Sequence, residues 1–108
     1  MPTYHKLVRD RIPAIIEQSG KTCRTKIVDD NEYREALQKK SYEEFEEYIQ
    51  ATTDEQAVEE LADLLEVMHA LARVHGVSFA EVEAVRKEKA DKRGGFLEKV
   101  FLIDVDEK

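Results

Sequence analysis

A chain of 108 residues with 42% hydrophobic content suits one domain, residues 1–108, whose modest core would gain from association between copies. Charged residues make up 38% and the formal net charge is -7, which argues against broad attraction to a nucleic-acid polymer or an anionic membrane and leaves only local phosphate binding. A single cysteine, Cys23, excludes an internal disulfide, no apolar run is long enough for a bilayer, and the start "MPTYHKLVRD" has no apolar signal core, so a cytoplasmic setting is expected.

Helix signals dominate in chain order. Asp10 is placed to cap a first helix over residues 11–19, with Pro13 in the opening turn and Gly20 at its end. "TCRTKIV", residues 22–28, mixes β-branched residues in rough alternation and reads as a short strand before the turn signals Asp29, Asp30 and Asn31. A second helix is expected from Asn31 to Ala51. Thr52 with Glu55, or Thr53 with Gln56, then caps a third helix ending at Gly76. Ser78 with Glu81 forms another capping-box pattern, opening a fourth helix that Gly94 and Gly95 terminate. The tail "FLEKVFLIDV" reads as extended and could pair with residues 22–28. The expected architecture is an all-α bundle of four helices with a two-stranded accessory.

The second helix carries four glutamates in five positions. At 100° per residue, Tyr33, Leu37, Lys40, Glu44, Glu47, Tyr48 and Ala51 share one side, so the stripe that should be apolar is interrupted by charge. Glu43 and Glu46 fall on the polar side with Glu35, Lys39 and Gln50. On the third helix Glu59, Glu66 and Arg73 face solvent, whereas Glu60 and Asp63 share their sector with Val67, Leu71 and Val74. Acids three apart project from neighbouring turns, and two such pairs on adjacent antiparallel helices converge. Four negative charges beside a core need either a positive partner or protonation. A divalent cation is the simplest partner, and hard oxygen ligands suit Mg²⁺, which also binds phosphates, or Mn²⁺. The competing reading is a solvated acidic face with i,i+4 partners. A diiron site is disfavoured because no histidine stands three residues after any of these acids.

These residues resemble a known pattern: EExxE at Glu43, Glu44 and Glu47, then ExxD at Glu60 and Asp63, is similar to that of the all-α nucleoside triphosphate pyrophosphohydrolases related to MazG. "YHKLVRDRIP" and "RKEKADKRGGF" extend the likeness over most of the chain, toward the phosphoribosyl-ATP pyrophosphohydrolase-like subgroup. The resemblance implies an all-α fold, Mg²⁺ held by Glu44, Glu47, Glu60 and Asp63, and cleavage of a nucleotide between its α and β phosphates. It also implies a site assembled in a homodimer or homotetramer, for which the apolar patch of Tyr42, Phe45 and Ile49 offers a contact. Glu47 is the first choice for the general base and Glu44 the next, since spacing does not separate a ligand from a base. Glu43 reads as a supporting residue.

Cations for the leaving pyrophosphate are expected from Lys89, Lys92 and Arg93, or from Lys40, one turn before Glu44. Basic residues at a helix C-terminus also meet its dipole, so a structural role competes. Lys6 and Arg9 are further candidates for phosphate or ribose, and Arg9 could equally be a surface ion pair. His5, His69 and His75 lack metal-ligand spacing, and Cys23 has no evident base partner. The leading expectation is a Mg²⁺-dependent hydrolase of noncanonical or surplus nucleoside triphosphates. The same chemistry on phosphoribosyl-ATP in histidine biosynthesis comes second, and a catalytically silent helical binding module third.

Overall fold

The computed structural model describes residues 4–106. Four helices follow one another: α1 (Ile12–Gln18), α2 (Asp30–Gln50), α3 (Asp54–Val74) and α4 (Phe79–Arg93). The all-α expectation holds, and each helix lies within two residues of its expected bounds.

Local chemistry sets the ends, though not always through the expected residue. Asp29 opens α2 by accepting from the Glu32 amide at 2.8 Å. Thr53, the second of the two possible caps, opens α3 by accepting from the Gln56 amide at 3.1 Å. Gln56 reaches back one residue further than a capping box requires, and its Oε1 accepts from both the amide and the hydroxyl of Thr52. Two expected caps are not made. The N-cap of α1 is Arg11 rather than Asp10, and neither Arg11 nor Ser78 of α4 bonds through its side chain. At the opposite end of α4, Gly94 adopts φ 79° and donates its amide to the Ala90 carbonyl at 2.8 Å, a conformation that glycine adopts without a Cβ penalty.

The body of the fold is the α2–α3 pair. Each helix has 21 residues, about 30 Å of length, and only residues 51–53 separate them, which makes them antiparallel neighbours. Leu37 of α2 is buried with Val67 and Ala70 of α3, and Tyr33, Leu71, Val74 and the N-terminal Leu7 close around them. The same register that sets Leu37 across from Ala70 brings Glu47 to Glu60, two to three turns nearer the link. Helix α4 meets α3 and not α2, with the Phe79 ring stacked on His69 at 4.0 Å.

The two-stranded accessory does not form: residues 22–28 and 96–105 carry no strand pairing. A two-stranded ribbon needs a further strand or a helix face to bury its apolar side. Ile27 and Phe96 are both 99% exposed, so no such cover exists among the described residues. The molecule is drawn out, with a radius of gyration of 18.6 Å against about 13 Å for a compact chain of this length. No helix among the described residues is long and apolar enough to cross a membrane.

Candidate metal centre

Glu44, Glu47 and Glu60 bring one carboxylate oxygen each to within 4.8 Å of one another. Glu44 and Glu47 come from successive turns of α2 and Glu60 from the first half of α3, so the hairpin alone assembles the cluster. Glu44 is the buried charged residue of the described chain, at 6% exposure. Its Oε1 lies 3.5 Å from Lys40 Nζ, one turn earlier on α2. Its Oε2 is buried without a hydrogen-bond partner, and so is Oε2 of Glu60. Buried carboxylate oxygens without a partner are costly unless something positive or a proton joins them.

The titration of the cluster shows that conflict. Burial raises the Glu44 carboxyl above its ordinary range, the Glu47 charge raises it further, Lys40 pulls it partly back, and Asp63 adds a smaller upward push. Glu60 is pushed up to about 7, first by its hydrogen bond with the Glu47 side chain, then by burial and by the charges of Glu47, Asp63 and Glu44. Near neutral pH, without a cation, Glu60 therefore retains a proton part of the time. Three convergent carboxylates, two of which also carry a buried oxygen without a partner, fit a divalent cation.

Asp63, expected as the fourth ligand, stands outside the three-acid cluster. Its Oδ1 accepts from Arg9 Nη2 at 2.7 Å, which brings the N-terminal segment to the edge of the site. Asp63 remains close enough for its charge to raise both Glu44 and Glu60. Of the cations, Lys40 and Arg9 lie against the acids. Lys6 instead lies over the Tyr4 ring, 5.6 Å from its centre. Lys89, Lys92 and Arg93 line a different cleft of about 200 Å³ with Val85 and Glu88, where Lys92 pairs with Glu88 at 3.1 Å. Since α4 does not approach α2, the chain by itself does not bring these three cations to the glutamates of α2.

Two side-chain placements differ from the helical wheel. Glu47, expected on the inner side, is exposed, and Glu43, expected on the polar side, is half-buried. Helix α3 covers only one flank of α2, so a wheel drawn for a bundle packed all round misjudges the margins. Glu47 borders an open cleft of about 310 Å³ that also includes Gln50, Ala51, Gln56, Glu59 and Glu60. Helical periodicity puts Gln50 and Glu59 on solvent-facing sides and the Thr53 pattern makes Gln56 a cap, yet proximity to the short link places all three here.

The sequence profile of the phosphoribosyl-ATP pyrophosphohydrolase family matches residues 1–90, the span that holds every acid of the cluster as well as Arg9 and Lys40. No curated protein and no solved structure matches the chain. With a match over most of its length and an acid-lined helical hairpin at its centre, the chain belongs to the phosphoribosyl-ATP pyrophosphohydrolase family, within the all-α nucleoside triphosphate pyrophosphohydrolase superfamily.

Proposed function

We propose that the chain hydrolyses the α–β phosphoanhydride of a nucleotide triphosphate group, releasing a monophosphate and pyrophosphate, with phosphoribosyl-ATP as the first substrate to test. The observation that carries the reaction class is the convergence of Glu44, Glu47 and Glu60 with two partnerless oxygens. The family match reverses the order of substrates read from sequence motifs alone, setting phosphoribosyl-ATP ahead of surplus or noncanonical triphosphates.

Glu44, Glu47 and Glu60 would hold Mg²⁺ or Mn²⁺, with Asp63 beside them as the fourth acid. When bound, the cation supplies charge neutralisation at phosphate oxygens and a more acidic attacking water. Glu47 is suited to accept that water's proton, because it is the exposed member of the cluster and faces the open cleft. Glu44, pinned by Lys40 and buried, is suited to hold rather than to shuttle. Arg9 stands at the rim, where its guanidinium can turn from Asp63 to a phosphate oxygen.

Phosphorus NMR of the protein with phosphoribosyl-ATP and with a panel of ribo- and deoxynucleoside triphosphates, with and without Mg²⁺, tests this reading. Pyrophosphate released only with metal, and fastest from phosphoribosyl-ATP, is the expected result. Faster turnover of a plain triphosphate would restore the surplus-nucleotide reading. No release from any of them would leave the acids as a binding surface and overturn the proposal.

A further inference from the structure

The N-terminal run YHKLVRDRIP contributes no acid to the cluster, yet it is fastened to the hairpin beside it. Leu7 packs against the core of Leu37, Val67 and Ala70, and two residues later Arg9 reaches Asp63. Helix α1, which follows, meets no other helix among the described residues. The backbone at Arg9 is itself held, because its carbonyl accepts from the Ile12 amide at 3.1 Å in the turn that starts α1. Leu7 on one side and this turn on the other fix the point from which the guanidinium starts, and its long, exposed side chain has room to swing about that point.

Asp63 lies one turn after Glu60 on α3, and its charge is felt by both Glu44 and Glu60, so a cation held by the glutamates acts on Asp63 as well. In the cation-free chain the positive charge on Asp63 is that of Arg9, whose Nη2 donates to Oδ1 at 2.7 Å. The pair is a solvated one, with 57% and 41% of the two side chains exposed. Pairs of this kind are weak, so giving this one up lowers the affinity of an incoming cation by no more than about fivefold. A divalent cation brings two charges and prefers carboxylate oxygens, which favours it over a guanidinium at Asp63 once the glutamates share in holding it. The guanidinium set loose is a planar fork matched to phosphate oxygens.

We propose that Arg9 is an exchangeable counter-ion: it neutralises Asp63 in the empty site, yields that carboxylate to the divalent cation, and passes to a phosphate oxygen of the nucleotide. The inference rests on the metal-centre reading above and adds a coupling to it. While Arg9 is on Asp63, the guanidinium is withheld from phosphate and the carboxylate from the cation. Cation and nucleotide therefore favour one another through this one side chain, beyond their direct attraction, and linkage makes the effect equal in both directions. A structural tie between the N-terminal segment and α3 has the opposite sign, because losing it loosens the site and weakens cation binding. A phosphate clamp that never competes for Asp63 leaves binding of the cation alone unchanged.

The test uses the full chain and measures binding, not turnover. Mn²⁺ affinity without nucleotide is read by electron paramagnetic resonance for the native protein, Arg9→Gln and Arg11→Gln. Arg11 is the control, since it carries the same charge two residues away and its side chain makes no cap bond to α1. Arg9→Gln should bind Mn²⁺ about two- to fivefold more tightly than the native chain, and Arg11→Gln should match the native value. With Mn²⁺ saturating, the non-hydrolysable α,β-methylene analogue of ATP should bind Arg9→Gln about tenfold or more weakly. Helix content should stay the same in both variants, because both side chains are exposed. Mn²⁺ binding to Arg9→Gln that is no tighter than native, an equal gain in Arg11→Gln, or native affinity for the analogue in Arg9→Gln would each overturn the exchange while leaving the metal centre standing. A native protein that binds no Mn²⁺ would overturn both.

Discussion

Arg9 and Asp63 are 54 positions apart in sequence, yet their side chains meet at 2.7 Å, so the N-terminal segment and α3 share a contact at the edge of the acid cluster. Both side chains are largely solvated, at 57% and 41% exposure, which limits what the pair adds to stability to about 0.2–1 kcal/mol. A double-mutant cycle of Arg9→Gln and Asp63→Asn, followed by urea denaturation, should return a coupling energy in that range. Turnover should respond far more: Asp63→Asn is expected to lower kcat at least about tenfold with helix content unchanged. Full activity in Asp63→Asn would remove that residue from the site.

Stability of the metal-free protein should fall as pH rises. Glu60 titrates near 4.5 when unfolded and at about 7 when folded, so between those values the folded state keeps a proton that the unfolded state has lost. Raising the pH through this window favours unfolding, and the upward shift of Glu44 acts in the same direction. Thermal melts at pH 5 and pH 8 should show the higher Tm at pH 5. Saturating Mg²⁺ should narrow or reverse the difference, because a cation bound to the carboxylates stabilises their charged form. A Tm independent of pH in this window would contradict the retained proton on Glu60.

Glu44→Gln separates holding a cation from holding the fold. The buried carboxylate becomes a neutral amide of similar shape, relieving repulsion with Glu47 and Asp63, so the metal-free variant should melt no lower than the native protein at pH 8. Mn²⁺ affinity, read by electron paramagnetic resonance, should drop about tenfold or more. Native affinity in the variant would show that Glu44 is not a ligand.

The core is small enough for one residue to matter. Leu37 is 3% exposed at the centre of the contacts between α2 and α3. Leu37→Ala should cost about 2–5 kcal/mol in urea denaturation and, by loosening the hairpin, weaken Mn²⁺ binding as well. A loss below about 1 kcal/mol would indicate that contacts between copies, rather than this cluster, hold the two helices together.

Helix content and the acid pairs were legible because both are local in sequence. A 3.6-residue period placed Leu37 and Glu44 on one face, and glycine and threonine marked the ends of α3 within two residues. The exposure of Glu47 and the half-burial of Glu43 depend on how much of α2 a neighbour covers, which periodicity does not encode. Arg9 and Asp63 were each singled out, yet their pairing spans 54 positions and has no local signature. The strand reading failed for a related reason: β-branched residues at 22–28 record a propensity, whereas a ribbon also needs a surface to lie on, and Ile27 has none.

The spacing along the hairpin constrains how this chain can change. Leu37 precedes Glu44 by seven residues on α2, and Glu60 precedes Val67 by seven on α3, about two turns in each case. A one-residue insertion between either pair would swing the acid about 100° away from its apolar partner and dismantle the cluster while leaving the composition almost untouched. Length variation among descendants of this sequence should therefore collect beyond Gly94 and stay out of residues 37–44 and 60–67, a pattern set by helix geometry alone.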